Sequence, residues 1–224
     1  ETYYRLLAGE GTRPADAENH LRHHVELERE ACASPVSKQF WQDVLAPGTG
    51  EPLPRWDAPA ELGKGVLMHP VPLPDGLSEQ ILELASALSV PVKNVLMAAH
   101  VKVIAALAGQ DEILTGYEHS GRPEREGADE AIGMFLNTLP FRIRVAGGTW
   151  IDLVHRVRDA ETDLLPHRRY PMAQMKFDAK APSGPMFESI FNFTHFYPMK
   201  KLNDLPEFAL LDIRIETETE FPLR

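Results

Sequence analysis

Residues 132–140 read IGMFLNTLP and form the most informative stretch of this chain. Glycine, proline and charged residues crowd positions 121–130 before it, which predicts a mobile, solvated loop. After it, Phe141, Ile143 and Val145 recur at every second position with polar or small residues between them. That alternation predicts a strand with one buried face. The stretch therefore connects a predicted surface loop to a predicted β-strand.

Towards the amino terminus, the sequence predicts helices followed by a linker that crosses the surface. Residues 2–45 favour helices; positions 15–31 are charged and belong on a surface, whereas positions 34–45 carry an apolar face. Residues 46–65 are rich in proline and glycine and predict a linker. Residues 66–73 predict a strand.

The following helices have recognisable ends. Ser78 is placed to cap a helix that runs to about Leu88. Residues 92–107 are so apolar that we expect a helix buried nearly all round, ended by Gly109. Thr149 begins an amphipathic helix.

Strand patterns alternate with these helices. They cover residues 66–73, 113–119, 139–145, 187–196 and 211–215. Interleaved helices and strands predict an α/β fold with a mixed β-sheet flanked by helices.

Composition limits the possible partners and settings. The chain has 224 residues, 43% of them hydrophobic and 25% charged, as in globular proteins generally. Its formal net charge of −10, without a dense basic cluster, argues against nucleic acid as a partner. No stretch is long enough to span a membrane. The single Cys32 fits a reducing, cytoplasmic setting, and both ends look cut from a longer polypeptide.

Several blocks, taken in order, resemble the condensation domains of nonribosomal peptide synthetases. IGMFLNTLPFR matches the family pattern [IV]GxF[VL]NTLPxR at every fixed position, and HRRYP at 167–171 matches the first and last parts of HQDYP. Further blocks resemble family segments: SKQFW at 37–41, LMAAH at 96–100, SGRP at 120–123, and GPMF with FNF between 184 and 193.

The resemblance implies an architecture of two lobes, each like chloramphenicol acetyltransferase, with a tunnel between them. Residues 1–65 would then be a helical segment and linker from the end of the N-terminal lobe. Residues 66–224 would be the C-terminal lobe, incomplete at its end. The family's catalytic His-His-x-x-x-Asp-Gly motif would fall before Glu1, so this chain would contain no catalytic residue.

The resemblance also implies a reaction and partners. An amine on one peptidyl carrier protein, the acceptor, attacks a thioester on another, the donor, and an amide bond forms. Phosphopantetheine would be carried by those partners, and no cofactor would bind this chain directly. A neighbouring adenylation domain and the N-terminal lobe would complete the assembly, and the fragment alone would be inactive.

Three polar residues are candidates for the tunnel wall. Asn137 offers an amide that both donates and accepts; the alternative is a structural amide that pins the loop before Leu136. Arg122 follows a strand end and is expected to pair with the missing motif's Asp or with a neighbouring acid. Arg142 lies on the polar side of its strand, where a plain surface charge is equally consistent.

Four further residues are expected to pack rather than react. Met134 and Phe135 are expected to pack in the core or on the floor of the tunnel. His167 and Tyr170 precede Pro171 at a helix end. We expect them to seal the lobe by packing rather than to catalyse, because a lone histidine is weak evidence for catalysis.

The histidine-rich helix is a decoy. His23 and His24 with Glu28 and Arg29 imitate the catalytic motif, but Arg29 stands where the turn needs glycine. His20, His24, Glu28 and Cys32 also form an i, i+4 ladder. One helix rarely places four such ligands on one ion, so we predict no metal.

Of three other functions, the motif block at Gly133 decides against one and two remain open. An epimerisation domain shares the fold, but its pattern vGWFTs.yP differs from Leu136-Asn137-Thr138. A stand-alone acyltransferase using coenzyme A, or a non-catalytic domain that recruits a tailoring enzyme, is distinguished only by flanking sequence.

Overall fold

The computed structural model describes residues 17–48, 50, 52–55, 68–129, 131–181, 184–194 and 221–223. The predicted helix before residue 17, the strand at 211–215 and Phe196 lie outside these residues.

The described chain alternates helices and strands after an all-helical start. Its elements are α1 (Ala17–Ala33), α2 (Pro35–Leu45), α3 (Leu77–Ala87), α4 (Val92–Ala108), β1 (Glu112–Ser120), β2 (Leu136–Arg144), α5 (Trp150–Leu164), a 3-10 turn (Leu165–His167), α6 (Met172–Asp178) and β3 (Ile190–Phe191).

The described strands form a mixed sheet in the order β2-β1-β3. β1 pairs antiparallel with β2 from Glu112↔Arg144 to Ser120↔Leu136. β3 runs parallel to β1 and places Ile190 opposite Gly116. The predicted α/β class with a mixed sheet is therefore confirmed.

One hydrophobic core joins the helices to the sheet. α4 packs against α5 and β1, α5 packs against β2, and α2 packs against β2 and α6. Trp41 of α2, Val101 of α4, Leu139 of β2 and Val157 of α5 are all fully buried in this core. The assignment of residues 1–65 to an N-terminal lobe stays a prediction.

Helix ends follow local chemistry, with one correction. Thr149 caps α5 in a capping box with Asp152, and Gly109 ends α4 at a φ of 66°, as predicted. The prediction for Ser78 is wrong: the N-cap of α3 is Gly76, and Ser78 lies inside the first turn.

Two predictions from apolar content are also wrong. Residues 68–73 are exposed and form no strand; Pro70 and Pro72 lack the N–H groups that a ladder needs. α4 is buried on one side only, because Val103 and Leu107 are exposed. Apolar content alone does not show how many faces of a helix are covered.

Within the described residues, no single helix has the length and apolarity of a membrane span, although α3 and α4 taken together, bent by 107°, pass on length and composition.

Candidate functional site

Asn137 connects the start of β2 to the turn after α5. Its Nδ2 donates to the carbonyl oxygens of Arg168 at 2.9 Å and Tyr170 at 2.8 Å. Its Oδ1 accepts from the backbone N–H of Met172 at 3.3 Å. The amide therefore pins residues 168–172 and not the loop before Leu136. Its part in the tunnel stays a prediction.

Arg122 organises the loop that follows β1. Its Nη1 donates to the carbonyl oxygens of Ala128 and, at 2.7 Å, Ala131. The guanidinium also lies 4.2 Å from the centre of the Phe135 ring. Among the described residues its partners are thus carbonyls and a ring. The predicted pairing with an acid of the missing motif stays a prediction.

Gly121, at the end of β1, is held from two sides. His24 Nδ1 of α1 donates to its carbonyl oxygen at 3.0 Å, and Arg169 Nε donates to the same atom at 3.1 Å. A β-carbon at Gly121 would come within 2.9 Å of the His24 ring. The buried His24 is therefore an anchor for the strand end.

The metal-like ladder of α1 does not converge. His24 Nε2 lies 3.5 Å from a carboxylate oxygen of Glu28, and Cys32 is exposed. Within the described part of the chain, no group of three or more His, Cys, Asp or Glu side chains is close enough to hold a metal ion.

His167 faces α2 rather than open space. Its Nδ1 shares a hydrogen bond of 2.9 Å with the Ser37 hydroxyl, and its ring stacks on Phe40 at 4.2 Å. The indole N–H of Trp41 donates to its carbonyl oxygen at 3.1 Å. Burial lowers the pKa of His167. These contacts favour the predicted sealing role.

Tyr170 is buried and closes the same seam. Its hydroxyl donates to Asp178 of α6, which also accepts from Lys38 of α2 at 2.7 Å. The hydrogen bonds from Lys38, Tyr170 and Gln174 lower the pKa of Asp178 to about 2. Burial and the neighbouring carboxylate raise the pKa of Tyr170.

Met134 and Arg142 lie apart from this group. Met134 is exposed and does not pack in the core, whereas its neighbour Phe135 is buried. The alternative, that Met134 lies on the tunnel floor, stays a prediction. Arg142 Nε donates to the carbonyl oxygen of Val44 at 2.6 Å, and its guanidinium lies 3.2 Å from Glu112. It fastens the last turn of α2 to β2.

A buried carboxylate was not predicted. Glu161 of α5 accepts hydrogen bonds from Asn94 Nδ2 and the Tyr117 hydroxyl, both at 2.6 Å, and pairs with Lys93 Nζ at 2.5 Å. Burial raises its pKa, but these three partners outweigh burial and the net pKa is lowered. The available signal was an acidic residue four positions after Val157 on the apolar face of α5.

A partly buried histidine was missed as well. His100 Nε2 lies 3.0 Å from the Thr115 hydroxyl, which donates to the carbonyl oxygen of Ser189 at 2.9 Å. Burial lowers the pKa of His100 to about 4. This chain of bonds ties α4 to the centre of the sheet.

Two adjacent arginines border the Asn137 group. Arg168 and Arg169 both contact the Glu124 carboxylate, Arg168 through Oε1 and Arg169 through Oε2 at 2.5 Å. The end of β1, the start of β2, the loop after Gly121 and the turn at 168–171 thus meet in one place.

Comparisons with known proteins agree with this architecture. The family model described as Condensation domain matches residues 1–224. AMB antimetabolite synthetase AmbE of Pseudomonas aeruginosa is 37% identical over 87% of this chain and 9% of that protein. Malpibaldin synthetase of Mortierella alpina is 29% identical over 87% of this chain and 4% of that protein. The chain thus spans less than a tenth of these curated relatives.

Solved structures share the fold. The first condensation domain of the CDA synthetase superposes with a TM-score of 0.66 at 20% identity, over 83% of this chain and 42% of that chain. A four-domain nonribosomal peptide synthetase bound to AMP and glycine gives a TM-score of 0.59 at 17% identity, over 76% of this chain and 14% of that chain. With the family match over its whole length, the chain belongs to the condensation domain family.

Proposed function

We propose that this chain is part of a condensation domain that forms amide bonds in nonribosomal peptide synthesis. The observation that carries the proposal is the match of the condensation family to residues 1–224. The relatives bear the names of synthetases, among them a linear gramicidin synthase of Brevibacillus parabrevis that is 25% identical over 84% of this chain. The geometry around Asn137 supports a rigid wall beside a substrate path.

The reaction is transfer of an acyl or peptidyl group from sulfur to nitrogen. The acceptor amine attacks the donor carbonyl carbon, the new C–N bond forms, and the C–S bond breaks. The proton that the amine loses is taken up by a base and returned to the departing thiolate. Such a step needs alignment, a base and donors for the developing oxyanion.

This chain contributes alignment in the proposed reaction. Asn137 ties the turn at 168–172 to β2, and Arg122 ties the loop after β1. Together they hold one wall of the tunnel at the end of the β1–β2 pair. The base and the catalytic histidines lie in the N-terminal lobe, which is the first partner that this function requires.

Further partners complete the proposed assembly. Donor and acceptor peptidyl carrier proteins present substrates on phosphopantetheine arms, and an adenylation domain loads the acceptor carrier. A cytoplasmic setting fits the one cysteine, Cys32, which is free and exposed.

The test is dipeptide formation from loaded carriers. The complete synthetase module is compared with this chain alone, using identical donor and acceptor carriers and mass spectrometry of the product. We expect product from the module and none from the chain. Product from the chain alone would contradict the location of the catalytic histidines upstream.

A module that carries an intact His-His-x-x-x-Asp-Gly motif yet makes no product would contradict amide-bond formation. Capture of a tailoring enzyme by such a module would favour the recruiting domain. Transfer from free acyl-coenzyme A would favour the stand-alone acyltransferase.

A further inference from the structure

Arg168 and Arg169 form a fixed pair of cations beside Asn137. Their side chains are 15% and 16% exposed. Arg168 Nη1 donates to the carbonyl oxygen of Leu165 at 2.8 Å, and Arg169 Nε donates to that of Gly121 at 3.1 Å. Asn137 holds the backbone carbonyl of Arg168 itself. These bonds orient both guanidinium groups without help from an acid.

Among the described residues, the carboxylate that contacts this pair belongs to Glu124, and a single negative charge does not neutralise both cations. Glu124 contacts both arginines, so one negative charge faces two positive ones. Burial lowers the pKa of both arginines, and Arg169 further lowers that of Arg168. With two guanidinium groups on one carboxylate, this group keeps a net positive charge in a chain whose net charge is −10.

The Glu124 carboxylate can be displaced from the two arginines by another anion. It is 68% exposed, in contrast to the arginines, and lies in the turn after β1. Exposed ion pairs contribute little to stability, so its displacement costs little. What remains is a pair of guanidinium groups that can each take one oxygen of the same anion, the arrangement that suits carboxylate and phosphate groups.

The departure from the family pattern falls on the same two residues. The block HRRYP matches HQDYP at its ends, and the two arginines occupy its centre. A neutral residue and an acid are thus replaced by two cations next to the predicted tunnel wall.

We propose that Arg168 and Arg169 bind an anionic oxygen group of a tethered substrate, with Glu124 occupying the site when substrate is absent. The group is the carboxylate of an acidic acyl or aminoacyl residue or the phosphate of the phosphopantetheine arm. The identity of the ligand rests on the proposed function; the binding itself does not.

Binding is measured on this chain by NMR of the arginine side-chain N–H groups. The probes are N-acetyl-L-glutamic acid α-amide, its neutral isostere N-acetyl-L-glutamine amide, and phosphopantetheine. We expect an anionic probe to shift the Arg168 and Arg169 signals, and the neutral isostere to leave them unchanged. Arg168→Gln and Arg169→Gln should each weaken binding about tenfold, the loss of one charged hydrogen-bonding group.

Arg158→Gln is the matched control, because Arg158 is an exposed arginine of α5 that pairs with Asp159. It should leave binding unchanged. Glu124→Gln keeps the size of the side chain but removes the competing charge, so it should strengthen binding about threefold. Because Glu124 is exposed, this variant tests the site even if loss of an arginine unfolds the chain.

The outcomes separate the sources of the anion. Binding of the glutamyl amide alone assigns the site to an acidic residue, and binding of phosphopantetheine alone assigns it to the carrier arm. No binding of either, or binding that Glu124→Gln and both arginine variants leave unchanged, would overturn the site. Because no turnover is needed, failure of condensation leaves this result standing, and failure of binding leaves condensation untouched.

Discussion

At the scale of single residues, the stability of the core depends on two ionisable side chains, the partly buried His100 and the buried Glu161. His100 is neutral near pH 7 and bonds the Thr115 hydroxyl under the sheet. Glu161 is charged and surrounded by Asn94, Tyr117 and Lys93. Burial keeps His100 uncharged, whereas its hydrogen-bonding partners keep Glu161 charged. We therefore expect the fold to lose stability when His100 gains a charge and when Glu161 loses its charge.

His100 makes stability depend on pH. Its pKa is about 4 when folded and about 6.5 when unfolded, so the unfolded chain binds more protons between these values. The free energy of unfolding therefore falls as the pH drops from about 6.5 towards 4, by roughly 3 kcal/mol from this group. His100→Gln keeps a donor for Thr115 and should remove that part of the fall in denaturant titrations.

The exposed His69 supplies the control, since His69→Gln should retain the whole pH dependence. An equal fall in wild type and His100→Gln would show that other groups account for it.

Glu161 should be costly to neutralise. Glu161→Gln keeps the shape but loses the charged bonds to Tyr117 and Lys93, and we expect about 2 kcal/mol of destabilisation. Urea unfolding checks the value, with the exposed Glu83→Gln of α3 as the control near zero. A variant as stable as wild type would mean that the carboxylate only offsets its own burial.

The role of a residue was predictable only where the residue belongs to a recognised motif of the family. His167 and Tyr170 were expected to seal the lobe, and their contacts with α2 and α6 favour that role. Asn137 was expected either to face the tunnel or to act as a structural amide that pins the preceding loop. Its actual partner segment at 168–172 was not predicted, since it depends on how β2 meets the turn after α5. Glu161 was missed because sequence periodicity does not distinguish a buried carboxylate with partners from a solvated one.

At the scale of elements, the helix starts and the sheet register rest on short-range chemistry. The capping box of Thr149 and Asp152 begins α5. Gly116 lies at the centre of β1, where its neighbours on β2 and β3 are Pro140 and Ile190. Each feature can be tested by one substitution, at Thr149 or at Gly116, and the free energy of unfolding is the quantity to measure.

Removal of the cap should loosen α5. Thr149→Ala leaves the first N–H groups of the helix without their side-chain acceptor and should cost about 1 kcal/mol in the free energy of unfolding. Thr162→Ala changes a matched exposed threonine inside α5 and should cost less, since the Thr162 hydroxyl donates to the carbonyl of Arg158 within the helix and does not cap its first N–H groups. Equal losses would argue against a cap-specific effect.

Gly116 admits no side chain. A β-carbon there would lie 2.4 Å from the Phe187 ring and 2.5 Å from Ile190. Gly116→Ala should therefore cost about 1–3 kcal/mol through overpacking. Phe187→Leu in the same chain should recover part of this loss, and a double-mutant cycle measures the coupling. Additive effects would show that the strand moves away instead.

Elements were predictable where caps and periodicity agreed. The start of α5 at Thr149 and the end of α4 at Gly109 follow from both signals. The strand expected at 66–73 rested on apolar content alone, and the proline spacing that opposes pairing outweighed it.

At the scale of the whole molecule, fold class and family were predictable and burial was not. The interleaving of helices and strands predicts an α/β sheet, and the order of motif blocks predicts the condensation family. How many faces of α4 are covered depends on what packs beside it, which the chain's own sequence does not state. The exposed apolar surface is therefore visible only once the elements are packed together.

Part of that surface is an apolar strip, defined as Ile132, Met134 and Leu136, which are 90%, 76% and 63% exposed. The alternate spacing of these residues in the family motif lets their side chains share one side of an extended segment. Exposed apolar patches of this kind mark interaction surfaces.

We expect the chain alone to self-associate through the apolar strip. Replacing Ile132, Met134 and Leu136 together with serine should lower the weight-average mass in light scattering towards that of a monomer, because the apolar area that drives association is lost. Val103→Ser alters an exposed apolar residue of α4 instead and should leave the mass unchanged. A monomeric wild-type chain would contradict the prediction. A response to Val103→Ser equal to that of the triple variant would assign the association to α4, the helix whose outer face the sequence led us to expect buried.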